Sequence, residues 1–218
     1  MTEYEKMLAG VWYYPGDEEL AALRRRVAEV CFAANRLPPG REEERMELLR
    51  PLFGKTGAEF TITPDFHCDY GGNITLGEGF YANYNLVILD CAPVTFGDNV
   101  LVGPGCGFYT AIHPLDAAHR ATGEEKAAPI TVGSDVWFGG NVTVLPGVTI
   151  GDGAVIGAGS VVTRDIPARS VAAGNPCRVI RAITDADRVF YYRDRKFDPE
   201  AWADVCRRTG WDPAELDG

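Results

Sequence analysis

Residues 132–166 read VGSDVWFGGNVTVLPGVTIGDGAVIGAGSVVTRDI, and this stretch decides the fold. Val132, Phe138, Val144, Ile150, Ile156 and Val162 recur every six residues, and Val136, Val142, Val148, Ala154, Ser160 and Ile166 repeat the interval four places on. A strand alternates at two and a helix at about 3.6, so neither by itself carries a six-residue beat. Glycines at 133, 139, 151 and 157 supply tight turns between short extended pieces, three of which make one coil. A single coil cannot bury its own apolar residues. Stacked coils share one core, so the beat predicts a mainly β chain wound as a parallel β-helix.

Working upstream, the same beat runs from about Phe60. Leu76, Ala82 and Ile88 hold one phase, and Phe96, Val102 and Phe108 resume it after a step of eight, which places two inserted residues near Pro93. GPGCG at 103–107 mimics part of a dinucleotide fingerprint, but no helical pattern follows and its glycines fall at repeat turns. Between Tyr109 and Pro129 the pattern lapses, which predicts a long loop thrown out of a coil. Ordered loops of that length are usually functional, and His113 is the best-equipped residue in it.

The flanks read as helical. Met7, Leu8 and Val11 open the chain; Asp17 precedes Leu20, Leu23, Val27, Val30, Cys31 and Ala34 at helical spacing; Met46, Leu49 and Phe53 line a third piece. The expected division is a helical cap over 1–58, a β-helix over 59–183 with its projecting loop at 109–129, and a C-terminal helical segment over 184–218. Val179, Ile180 and Ile183 are expected to close the last coil, and residues 185–195 and 199–208 to form two helices rich in aromatics.

A formal charge of −10 argues against nucleic acid or an anionic membrane as partner. MTEYEKMLAG lacks the basic and apolar regions of a secretory leader, and no apolar run approaches the roughly 20 residues of a membrane span, so a cytoplasmic protein is expected. Six scattered cysteines without a C-x-x-C pair read as small buried apolar residues.

The runs CDYGGNITLGEGFYANYN, YTAIHP, VWFGGNVTVLPGVTIGDGAVIGAGSVVTRDIP and AAGNPCRVIR together resemble the maltose and galactoside O-acetyltransferases, over about residues 3–183. The resemblance, not the periodicity, implies a left-handed β-helix, an active homotrimer, acetyl-CoA as co-substrate and a sugar hydroxyl as acceptor, with no metal. His113, in its T-x-H-P context, matches the family's catalytic histidine, and Asn83 in F-Y-A-N matches the asparagine that assists the transition state. Asp69 and Tyr81 match acceptor-pocket positions, with Asp90 and Asp17 as further acceptor contacts, although Asp17 also suits the N-cap of the long helix. Asp69 departs from the galactoside enzymes, which carry serine there, and resembles the maltose type.

For the cofactor, the family pattern implies Trp137, Gly140, Ala158 and Thr163 along the pantetheine arm, with Arg164, Arg178 and Arg181 at the phosphates. Arginine's planar fork suits phosphate. One histidine can take the hydroxyl proton and return it to the thiolate. The loop, poor in apolar residues, is expected to reach across a cleft between neighbouring subunits instead of folding on its own side.

The same residues admit three other readings. An acetyltransferase of the same superfamily acting on serine or an antibiotic keeps the chemistry and changes the acceptor. A zinc carbonic anhydrase built on this fold needs paired histidines five apart, whereas His113 and His119 are six apart and His67 is far upstream. A non-catalytic scaffold or ice-binding surface needs flat threonine ladders, which the linear sequence does not display.

Overall fold

The structure, a computed structural model, describes residues 1–217. Three parallel sheets form the sides of a prism. The first face stacks Lys55–Thr56, Ile74–Leu76, Val94–Phe96, Ile130–Val132 and Thr149–Ile150; the second runs from Phe60–Ile62 through Trp137–Phe138 to Ser170–Ala173; the third runs from Phe66–Cys68 to Val161–Val162. Every residue of the six-residue beat from Leu76 to Val162 points inward and is buried. Phe80, Phe96, Phe108 and Phe138 stack through the core with ring centroids 4.9, 4.9 and 5.2 Å apart.

Coil length varies, and that variation builds the site. On the first face Lys55, Thr75, Thr95, Thr131 and Thr149 lie in register, so successive coils differ by 20, 20, 36 and 18 residues. The extra residues collect at the corner that leads from the third face to the first: 69–73, 90–93 and the long loop. The turns elsewhere are tight. A Cβ on Gly77 would stand 2.2 Å from the Gly97 carbonyl oxygen, so only glycine lets these coils stack at their normal spacing.

The same register corrects the expectation of no threonine ladder. Thr75, Thr95, Thr131 and Thr149 form one outward row, invisible in the sequence because the intervening coils have unequal lengths.

Helices α1 (Glu3–Leu8), α2 (Glu18–Asn35) and α3 (Glu42–Leu49) precede the prism. Val27, Cys31 and Ala34 of α2, Leu49 of α3, and Phe53 join the core of the first coil, so the helices close its open end. Met7, Tyr13 and Leu20 belong to a second buried cluster with Tyr70, Cys91, Ala92 and Ala127, which ties the cap to the enlarged corner. Five of the six cysteines are buried and all are free.

Two C-terminal expectations are corrected. Val179 and Ile180 are exposed on an edge strand, Arg178–Ala182, and do not seal the core. Residues 185–195 form a 3-10 turn, Asp185–Val189, and a two-stranded hairpin, Phe190–Tyr192 with Arg195–Lys196, not a helix. The aromatic run favours strand, and Arg193 in the left-handed region reverses the chain. Residues 182–217 make a second compact unit, whose buried residues Val189, Trp202 and Cys206 pack with Phe190, Phe197 and Trp211. Its one α-helix, Pro199–Thr209, agrees with expectation.

Candidate active site at the enlarged corner

At the corner, Asp90 is fully buried. Its Oδ1 accepts the backbone N–H groups of Asp69 (3.0 Å) and Tyr70 (2.9 Å), and its carbonyl accepts from the Asn73 side chain at 2.7 Å. Asp90 therefore fixes the turn that carries Asp69. Burial pushes its carboxyl up to about 6, against the pull of the Tyr70 N–H. Asp69 is half-buried, and burial raises its carboxyl too; its Oδ2 lies 3.6 Å from the Cys91 thiol, which donates to it. Asp17 caps α2 by accepting from Glu19 and Leu20 N–H.

The long loop departs from the next coil. Thr110 Oγ1 donates to the Leu89 carbonyl and accepts the Ala92 N–H, anchoring the loop's base. Ala111–Ile112 then pairs antiparallel with Lys126–Ala127, bringing His113 beside Glu125. His113 Nε2 stands 3.4 Å from Glu125 Oε2; the imidazole is half-exposed and the carboxylate nearly buried. Glu125 Oε1 accepts a short hydrogen bond from the Tyr13 hydroxyl, and the two backbones exchange N–H to carbonyl bonds of 3.2 and 3.1 Å. Lys126 Nζ and the His119 ring lie 4.9 and 5.3 Å from the Trp12 ring centroid. The loop thus packs on the cap of its own chain, contrary to expectation. Tyr13 and Trp12 supply the apolar surface that the loop lacks.

A second set of expected residues lies elsewhere on the prism. Tyr81, Asn83, Leu101, Trp137 and Gly140 line a groove of about 380 Å³ along the second face and the corner beyond it. Asn83 Oδ1 accepts the Tyr84 N–H at 2.8 Å. Among the described residues no hydrogen bond links Asn83 with His113. Ala158 stacks over Gly139, and the Gly140 carbonyl accepts from Gly159 N–H. Thr163 and Arg164 are exposed at the enlarged corner, higher up; Arg178 and Arg181 sit on the edge strand, with Arg178 donating to the Cys177 carbonyl.

Glu125, Tyr13 and Arg24 were not singled out in the sequence. Arg24 donates to the Tyr70 hydroxyl (2.5 Å) and the Pro15 carbonyl (2.6 Å), and its charge draws the Asp69 carboxyl down against burial. Nothing periodic marks them. Among the described residues, no three His, Cys, Asp or Glu side chains gather in a metal-binding arrangement, and no helix is long and apolar enough to cross a membrane.

Comparison with known proteins agrees with this architecture. The maltose acetyltransferase hexapeptide capping motif matches residues 6–57, and the bacterial transferase hexapeptide, in six repeats, matches 129–164. A maltose O-acetyltransferase from Clostridium difficile 630 superposes with a TM-score of 0.83 at 47% identity, covering 85% of this chain and 99% of that one. A galactoside acetyltransferase in complex with coenzyme A superposes at 0.87 with 42% identity, covering 91% and 99%. A Saccharomyces cerevisiae protein provisionally named an acetyltransferase is 50% identical over 171 residues, 78% of this chain and 87% of that protein. Fold and matches together define an acetyltransferase built on a left-handed β-helix. The chain belongs to the hexapeptide-repeat acetyltransferases that carry the maltose acetyltransferase capping motif.

Proposed function

We propose that the protein transfers acetyl from acetyl-CoA to a hydroxyl of a sugar of the glucose, maltose or galactoside class, in a site completed between neighbouring subunits of a homotrimer. The observation that carries this reading is His113 held against Glu125 at an open lip, with Asp69 at the same corner. Glu125 orients the ring through one nitrogen. The other nitrogen takes the acceptor proton as its oxygen attacks the thioester carbonyl; the C–S bond then breaks and the proton passes from His113 to the departing thiolate. Asn83 and the Gly140 N–H, from an adjacent subunit's groove, stabilise the oxyanion.

Transfer is direct. Cys91 lies within this corner, and burial pushes its thiol up to about 12, so it stays protonated and is no acyl acceptor. Trp137, Ala158 and Thr163 line the pantetheine path, and Arg164, Arg178 and Arg181 meet the phosphates. Asp69, Tyr81 and Asp17 supply polar and aromatic contacts for a polyhydroxylated ring. Arg24, the cation beside Asp69, is committed to Tyr70 and Pro15, so a carboxylate-bearing acceptor such as serine finds no clamp there.

The test is thiol release from acetyl-CoA with glucose, maltose, galactosides, L-serine and chloramphenicol as acceptors. Sugars are expected to drive release at high concentrations. Release with serine or chloramphenicol and with no sugar would overturn the acceptor and leave the acetyltransferase class.

A further inference from the structure

We propose that Tyr13, in the link between α1 and α2, is a positioning residue for acetyl transfer: it holds Glu125, and through Glu125 the ring of His113. This rests on His113 being the base of the reaction above. Three observations support it. The two Glu125 oxygens divide their work, Oε1 accepting from the Tyr13 hydroxyl and Oε2 facing His113 Nε2, so the carboxylate plane that meets the ring is set by Tyr13. Reciprocal backbone bonds between Tyr13 and Glu125 fix the distance over which that hydroxyl acts. Tyr13 is also 1% exposed, in a cluster with Met7, Leu20 and Cys91 where a phenylalanine would pack as well, so its hydroxyl is retained against the desolvation that burial imposes.

The arrangement gives the cap a role beyond closing the prism. A loop with little apolar content cannot immobilise a catalytic side chain by itself. Here the immobilising surface comes from residues 12–14, which lie about a hundred positions upstream in sequence. At metal sites, the outer partners that fix a ligating histidine's ring contribute about 10- to 100-fold to activity, and the same geometric role is assigned here to Tyr13.

Tyr13→Phe, Glu125→Gln and the double variant test this by steady-state kinetics on the full-length protein. Tyr13→Phe is expected to lower kcat about 10-fold while the KM for acetyl-CoA stays within roughly twofold. The double variant should be no slower than Glu125→Gln alone, because Tyr13 acts only through that carboxylate. Independent losses that multiply, or an unchanged kcat in Tyr13→Phe, would overturn the proposal.

A second readout needs no turnover: ¹⁵N NMR of the histidine rings, with the His113 signal identified by its loss in His113→Ala. Wild type should show one tautomer for His113 and Tyr13→Phe a mixture; a single unchanged tautomer in both would overturn the proposal. Wild type that releases no thiol with any acceptor would instead refute acetyl transfer, and the NMR result would still decide the positioning.

Discussion

Asp90 accepts the backbone N–H of Asp69 from the coil below at 3.0 Å, while its second oxygen, Oδ2, is buried without a partner among the described residues. Burial therefore favours the neutral acid and raises its folded value to about 6. A carboxyl raised on folding contributes stability that is fully present below its unfolded value, near pH 4, and lost as pH rises through about 6. The difference is about 3 kcal/mol at most. Asp69, also raised by burial, acts in the same direction. Denaturant unfolding should show wild type losing this increment between pH 4 and 7 relative to Asp90→Asn, in which the window flattens. Identical pH profiles would mean that Asp90 is ionised as readily in the fold as out of it.

His113→Ala removes the proposed base and leaves the arginines and the groove intact. Turnover should fall by about 10² to 10⁴. Acetyl-CoA affinity, measured by calorimetry, should stay near wild type. A variant with more than half the wild-type rate would remove His113 from the mechanism.

Phe96 tests the core. Its ring is bracketed by Phe80 and Phe108 at 4.9 Å on each side, and the side chain is 1% exposed. Phe96→Ala should cost about 3 to 5 kcal/mol, through lost burial and a cavity that stacked coils cannot collapse. A loss under 1 kcal/mol in chemical denaturation would show that neighbouring rings refill the space.

The inward half of this fold was legible in the sequence. Val132 to Val162 keep step because each position is the inward residue of the next strand round the prism, and the N-cap at Asp17 follows from a side chain acting on its own helix. Contacts made at corners were not legible. Tyr13 and Glu125 meet across 112 residues only because three coils of unequal length bring the loop beneath the cap, and no periodicity encodes that closure. Asp90 reads as a further acceptor contact, yet its side chain is buried and accepts the Tyr70 N–H from the neighbouring coil, a contact that no single coil encodes. His113 stood out through its motif, and its orienting carboxylate carried none.

Arg178 and Arg181 address the cofactor end. If they meet the nucleotide phosphates, replacing both with alanine should raise the KM for acetyl-CoA, each lost charge-assisted bond weakening it by roughly 1.5 to 3 kcal/mol. Acetyl-pantetheine, which lacks those phosphates, should be used as well by the variant as by wild type. Equal loss with both donors would indicate damage to the edge strand instead.

The proposed trimer rests on the outward row of the second face. Tyr81, Leu101, Trp137, Val155 and Val171 lie in strict register, so a continuous apolar strip runs along the prism beside the groove that holds Asn83. Leu101 is 48% and Trp137 54% exposed in the single chain. Apolar area of this kind favours association by about 25 cal/mol for each Å² removed from water. His113 and Asn83 lie in different parts of one chain, so a neighbour's second face brought against the enlarged corner would unite them. Leu101→Glu places a charge in the strip without touching the proposed base. It should shift sedimentation from three 23.7-kDa chains toward one and reduce turnover in proportion. Wild type sedimenting as a fully active single chain would refute both the trimer and the shared site.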